Sequence, residues 1–331
     1  LGCSIHGKIT QDFRTVSEEI SQGQPELMFE QVRPRVFWPE WDPEQYELID
    51  FGQGRRLERF GEIVLDRPCE VADKLACALP EEWHSADAKF VRLSAVSGQK
   101  IGDWVTILPG LPERWLIRWR QLVLELKRTN FGHVGLFAEH TAHWPWLIER
   151  ISGVGKPCRV LHLFAYTGGT TLAMAASGAE VAHVDSAENV VRWAKRNAEL
   201  SRLASAPIRW ICEDALRFAK RELRREAHYD AVVLDPPSYG HGPRGEVWRI
   251  KSDLDELLHL CFRLTGEGLQ FLLLTVHTPK YTPKKLGHLV EKAFPFIRND
   301  EIECGSMCLV SRSGRLLPSG ICARWSRAGI L

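Results

Sequence analysis

The apolar run Val160-Leu161-His162-Leu163 breaks at Phe164-Ala165-Tyr166-Thr167-Gly168-Gly169, and an acid, Asp185, closes the next apolar run, Val181-Ala182-His183-Val184. An apolar strand that ends in a glycine turn lets a ligand approach backbone N–H groups where a side chain would block it. A carboxylate about 20 residues further on, at the end of the following strand, is spaced to reach the ribose hydroxyls of a bound nucleoside. Strand and helix patterns then alternate: strand Val160–Phe164, helix Thr170–Ser177, strand Val181–Asp185, helix Ala187–Ser201, strand Ile208–Cys212, helix Ala215–Ala227, strand Ala231–Asp235, helix Ser252–Leu264, strand Leu269–Val276. Such alternation predicts a parallel sheet covered by helices. The end departs from it, because Ile302–Val310 and Leu316–Trp325, joined by Ser311-Arg312-Ser313-Gly314-Arg315, read as an antiparallel hairpin.

The glycine pair lacks the three-glycine fingerprint that brings a backbone up to a dinucleotide pyrophosphate, and it lacks the lysine of a phosphate-binding loop. S-adenosylmethionine has an adenosine to grip and no phosphate, so a looser glycine turn with a ribose carboxylate suits it better. A third apolar run, Ala231-Val232-Val233-Leu234, ends in Asp235-Pro236-Pro237-Ser238-Tyr239, at the edge where open α/β sheets bind ligands. Two successive prolines remove two backbone donors, which leaves the carbonyls there to accept from a substrate amine. Tyr239 is placed to stack on a planar substrate.

The order of Phe164-Ala165-Tyr166-Thr167-Gly168-Gly169, Asp185, Asp214 and Asp235-Pro236-Pro237-Ser238-Tyr239 resembles the class I S-adenosylmethionine-dependent methyltransferases, in particular those related to bacterial 23S ribosomal RNA methyltransferases. The resemblance runs from about Tyr46 to the C-terminus and includes Gly54-Arg55-Arg56-Leu57-Glu58-Arg59-Phe60-Gly61 and Phe131-Gly132-His133-Val134-Gly135-Leu136-Phe137. It implies an α/β fold, the class I methyltransferase Rossmann-like sheet, parallel with a C-terminal antiparallel hairpin and preceded by a small β-rich domain. It also implies S-adenosyl-L-methionine as cofactor, held by Phe164, Tyr166, Gly168, Gly169, Asp185 and Asp214. Asp214 matches the family position that contacts the adenine amino group. Asp235, Pro236, Pro237 and Tyr239 are the expected catalytic residues, and an RNA substrate, ribosomal RNA first, is the expected partner.

Each assignment has a plainer competitor. Asp235 and Asp185 could cap helices that follow their strands, Glu213 and Asp214 look like an acidic helix start, and Phe164 and Tyr166 could be core. In Trp115-Leu116-Ile117-Arg118-Trp119-Arg120 the tryptophans and arginines fall on opposite faces of a strand, which reads as a core face and a solvated face before it reads as an RNA platform.

With 43 Lys plus Arg against 42 Asp plus Glu, the formal net charge is +1, which does not support a strongly basic nucleic-acid binder but leaves room for a local basic face. No apolar run approaches the roughly 20 residues that cross a bilayer, and no signal pattern opens the chain, so a cytoplasmic protein without a membrane partner is expected. The first residue is Leu, which suggests a trimmed or incomplete start. Nine cysteines, an odd number scattered along the chain, argue against a closed disulfide framework. Cys304 and Cys308 have a metal-like spacing but no second pair nearby, so core packing is preferred and no metal is expected. At 331 residues two domains are the default. The expected organisation is a loose leader over 1–40, a small β-rich substrate-presenting domain over 41–130, a connecting segment over 131–157 and the methyltransferase domain over 158–331.

Methyl transfer to carbon C5 of cytosine uses a cysteine nucleophile, and relatives with that activity place it after the fourth or fifth strand. Here those positions read Pro236-Pro237-Ser238-Tyr239 and Thr275-Val276-His277-Thr278-Pro279, without a thiol. A nucleobase nitrogen fits better, with His277 a candidate base or substrate contact, although a lone histidine after a strand is more often structural. His140 stands where many relatives carry Gln and receives no role. The loop Gly240–Arg249 is a candidate lid over a flipped base, and Lys280, Lys284 and Lys285 are candidate phosphate contacts. Small-molecule or protein methylation and a non-catalytic S-adenosylmethionine- or RNA-binding module are the alternatives.

Overall fold

A computed structural model describes residues 35–93 and 102–329; most of the expected leader, and Cys3, lie outside them. Strand β1 (Arg35–Phe37) comes first. Then come β2 (Tyr46–Gly52), β3 (Arg55–Phe60), β4 (Ile63–Pro68), β5 (Ala88–Arg92) and β6 (Gly102–Thr106), which form a five-stranded sheet in that order. A separate hairpin follows, β7 (Arg114–Trp119) and β8 (Leu122–Lys127). Alternation explains these strands: in β7, Ile117 and Trp119 are buried while Leu116 and Arg118 face out, the two-faced pattern the sequence gives.

Helix α1 (Trp144–Gly153) occupies the expected connecting segment. Its Pro145 sits in the first turn, where a missing N–H costs nothing, and Trp144, Leu147 and Ile151 form the buried face. Four strands then alternate with helices: β9 (Arg159–Leu163), α2 (Gly169–Ala175), β10 (Glu180–Asp185), α3 (Glu188–Leu200), β11 (Ile208–Cys212), α4 (Ala215–Arg224) and β12 (Ala231–Leu234). Next come a small hairpin of β13 (Tyr239–His241) and β14 (Val247–Arg249), α5 (Ile250–Thr265), β15 (Phe271–Val276), α6 (Pro283–Ala293), β16 (Glu303–Val310) and β17 (Leu316–Ser326). The large sheet runs β1-β16-β17-β15-β12-β9-β10-β11. β15, β12, β9, β10 and β11 are parallel, and β17 is antiparallel to both β15 and β16. In β12 every side chain is buried, as continuous apolar runs in a sheet covered on both faces must be. The chain moves outward from β9 to β10 and β11 on one side and to β12 and β15 on the other. The turns after β9 and β12 therefore diverge and leave a crevice.

The described residues belong to one compact unit. The β8 edge, which would otherwise present unpaired backbone groups, is covered by side chains of α3 and of Ser201, the residue that caps its C-terminus. Asn197 Oδ1 accepts from the Glu125 N–H at 2.8 Å, and the Ser201 hydroxyl both accepts from the Val123 N–H and donates to the Val123 carbonyl. Trp193 Nε1 donates to the Glu125 carbonyl at 2.9 Å. Beneath the five-stranded sheet lies a buried polar group: Glu58 accepts from Arg67 and from the Tyr46 hydroxyl and pairs with Arg56. No described helix is long and apolar enough to cross a membrane, and every described cysteine is a free thiol.

Candidate active site

The turn after β9 is held against local preference. Phe164 (φ 57°), Tyr166 (φ 51°) and Gly168 (φ 85°) all lie in the left-handed region, which costs about 1–3 kcal/mol for a non-glycine residue. Specific bonds compensate. Asp185 accepts from the Tyr166 N–H at 2.9 Å and from the Ala187 N–H at 3.0 Å, and Asn197 Nδ2 donates to the Thr167 carbonyl at 2.9 Å. The Thr167 hydroxyl donates to the Gly135 carbonyl. The glycines also serve protein packing: a Cβ on Gly168 would lie 3.0 Å from the Cβ of Ala194, and one on Gly169 would lie 2.9 Å from the Trp144 indole.

Two clefts meet at Phe164. The first takes in Tyr166, Gly168, Gly169, His162, His140 and Asp235, the second Asp185, Asp214, Pro237 and the tip of the β13–β14 hairpin. Asp185 does not cap α3, whose N-cap is Ala187; it bridges two turns instead. Burial pushes its carboxyl upward, against the backbone N–H groups that hold the charged form. Asp214 does cap its helix, accepting from the Arg217 N–H at 2.9 Å, while still lining the second cleft. The plain reading of that residue is therefore realised.

Asp235 caps no helix. Thr275 Oγ1 donates to its Oδ1 at 2.7 Å, His277 Nε2 stands 3.3 Å from Oδ1, and His140 Nε2 stands 3.2 Å from Oδ2. The two imidazoles hold the Asp235 carboxyl well below the usual range despite the desolvation that opposes them. Desolvation disfavours the His277 cation, but the Asp235 charge outweighs it and lifts the imidazole to about 9. His277 Nδ1 faces the Ser319 carbonyl at 2.5 Å, so the ring donates from Nδ1 and, when protonated, from Nε2 to Asp235. The three donor groups fall within 4.8 Å of one another, a spacing a divalent cation also spans.

Two of the expected catalytic positions, Pro237 and Tyr239, sit differently from the sequence reading. Pro236 is buried, and the Pro237 carbonyl is not free, because Trp248 Nε1 donates to it at 2.7 Å. Tyr239 lines neither cleft; it is 52% exposed on β13, with the Arg249 guanidinium 5.7 Å from its ring centre. The expected lid over Gly240–Arg249 is an anchored hairpin, since Gly242 donates to the Glu246 carbonyl and buried Trp248 packs on Phe164 at 4.9 Å. Of the three lysines, Lys285 covers the Tyr281 ring at 4.3 Å. Sequence reasoning gave His140 no role. Its position, on the short 3-10 turn Ala138–His143, comes near Asp235 only through the tertiary fold.

A family model described as S-adenosylmethionine-dependent methyltransferase matches residues 78–285, more than half of the chain and inclusive of His140, Asp235 and His277. The crystal structure of the S-adenosylmethionine-dependent methyltransferase from Agrobacterium tumefaciens aligns with a TM-score of 0.81 at 33% identity, covering 92% of this chain and 97% of that one. A methyltransferase solved in complex with S-adenosylhomocysteine shares the fold, with a TM-score of 0.64 at 17% identity over 85% of this chain and 76% of that one. The Ribosomal RNA large subunit methyltransferase K/L of Hahella chejuensis is 35% identical over 136 residues, which is 40% of this chain but 18% of that protein. The chain thus spans less than a fifth of that relative. A match that begins in the β-rich region and runs through the glycine turn and the Asp235 cluster, with a relative that aligns almost end to end, places the chain in the S-adenosylmethionine-dependent methyltransferase family, with S-adenosylmethionine as its cofactor.

Proposed function

We propose that the chain methylates a nucleobase nitrogen in RNA, ribosomal RNA first, with the cofactor across the two clefts and the acceptor at Asp235. The carrying observation is Asp235, flanked by His140 and His277, in a cleft whose lining among the described residues holds no cysteine. A thiol is what ring-carbon methylation by covalent addition would require. The curated relative named as a ribosomal RNA methyltransferase supports the acceptor class.

The residues fit the cofactor. Asp185 retains lone pairs beyond the two N–H groups it accepts, which suits ribose hydroxyls, and Asp214 and Phe164 flank the same cleft. Bound there, S-adenosylmethionine supplies a methyl group on a sulfonium. Asp235 keeps its negative charge at neutral pH and has an acceptor position left after Thr275, His277 and His140. It accepts a hydrogen bond from the acceptor amine and turns the nitrogen lone pair toward the methyl, so its contribution is orientation. With its carboxyl held so low, Asp235 is a poor base, and the amine proton leaves to solvent. His277 and His140 are positioning residues that fix the carboxylate.

Transfer of labelled methyl from S-adenosylmethionine into RNA from cells lacking this protein tests the reading. Label in ribosomal RNA, identified after digestion as a nitrogen-methylated base, is the expected result; no label in RNA despite confirmed cofactor binding overturns it. The near-zero net charge favours a second reading, a small-molecule or protein acceptor, which predicts weak, salt-insensitive RNA binding.

Asp185→Ala is expected to weaken S-adenosylhomocysteine binding about tenfold to a hundredfold, since it removes charge-assisted bonds and leaves buried N–H groups unpaired. Calorimetric titration reads this directly. An unchanged Kd would remove Asp185 from the cofactor site.

A further inference from the structure

On the five-stranded sheet, next to the segment that leads into the catalytic cleft, Arg56, Arg67, Arg92, Phe131 and His133 line a third concavity. Arg67 is committed to Glu58 and to the Gly132 carbonyl, and Arg92 pairs with Glu70 at 3.1 Å. Arg56 differs. Its side chain is largely buried, its Nε lies 3.1 Å from Glu58 without hydrogen-bond geometry, and the charges of Glu58 and Glu139 act on it. Three guanidinium groups thus line one concavity, and the Arg56 Nε–H is left without a hydrogen-bond partner; guanidinium donors are the groups that recognise a tetrahedral oxyanion.

Phe131 is 56% exposed beside these arginines, a ring with one face available for stacking. The wall is also connected to the catalytic cluster. The His133 ring lies 5.1 Å from Phe137, and Phe137 lies 6.2 Å from His140 and 6.3 Å from His277, centre to centre. One aromatic ring therefore separates the arginine pocket from the place where the acceptor nitrogen is oriented.

We propose that this pocket is an acceptor subsite that takes a backbone phosphodiester of the methylated RNA on Arg56 and Arg92, with a neighbouring base stacked on Phe131. The inference rests on the RNA reading given above. It locates recognition in the β-rich sheet, away from the exposed lysines after β15.

The test is fluorescence anisotropy of a short labelled single-stranded RNA across a salt series, with the intact chain and with Arg92→Ala and Phe131→Ala. Both residues are exposed and neither lies in the cofactor clefts, so thermal melting and S-adenosylhomocysteine affinity should be unchanged. The expected result is RNA binding weakened roughly five- to a hundredfold by Phe131→Ala, and a salt slope reduced by about 0.7 in Arg92→Ala, one single-strand phosphate contact. A structural role alone would not move that slope. If the intact chain binds RNA and both variants bind it with the same Kd and slope, the subsite is overturned while the RNA reading stands. If the intact chain fails to bind RNA even at low salt, both fall.

Discussion

Asp235→Asn is expected to lower methyl-transfer turnover by about a hundredfold or more, with S-adenosylhomocysteine affinity nearly unchanged. An amide has the shape of the carboxylate but replaces one acceptor by a donor. Oδ1 now serves Thr275 and His277, and Oδ2 faces His140, so an amide nitrogen on the Oδ1 side meets two donors, and on either side the charge that both imidazoles face is gone. The side chain rotates away, and misplacement of a positioning group by about an ångström costs on the order of a hundredfold. The same substitution releases His277, whose imidazole should fall from about 9 toward its ordinary value, a change that a proton NMR titration of the ring follows directly.

The pH dependence has a definite sign. The folded His277 value lies above the unfolded one of about 6.5, so its share of stability is complete below that pH and is lost as pH rises through about 9. Asp235 is displaced downward, so its share is present above about 3.9 and is lost as pH falls. The melting temperature difference between the native chain and Asp235→Asn should be largest between those limits and shrink by pH 10. A difference that grows with alkaline pH would contradict the pairing.

Trp144→Ala is expected to destabilise the chain by about 3–5 kcal/mol, the range for a buried large aromatic. Trp144 is 1% exposed, meets Trp119 of β7 edge to face at 4.9 Å, donates from Nε1 to the Thr170 hydroxyl at 2.9 Å and fills the space that the missing Cβ of Gly169 leaves. Removing it opens a cavity where the β7–β8 hairpin, α1 and the glycine turn converge. Urea unfolding followed by circular dichroism should show a lower midpoint with an unchanged slope, and cofactor affinity should fall with it. A loss below about 1 kcal/mol would mean that the site collapses around the gap.

The central strands were legible because both of their faces are buried, so their apolar runs are unbroken. The order of β9, Asp185 and Asp235 carried the cofactor assignment for the same reason, since each position closes a readable strand. Helix α1 was hidden by Pro145, which breaks a pattern in a helix interior but is harmless in a first turn. The β13–β14 hairpin was hidden by glycine and proline, residues that mark a loose loop and a tight hairpin equally. Local pattern cannot show that Trp248 anchors that hairpin or that the Pro237 carbonyl is taken. His140 and His277 flank Asp235 because strand order brings distant segments together.

Asn197 presents its Oδ1 to the Glu125 amide of β8 and its Nδ2 to the Thr167 carbonyl of the turn that grips the cofactor. A planar amide has no joint between its two ends. The hairpin and the cofactor turn therefore cannot drift apart without breaking one of these bonds, and they must travel as one rigid body. Any gating of this enzyme falls elsewhere, at elements that Asn197 does not tie.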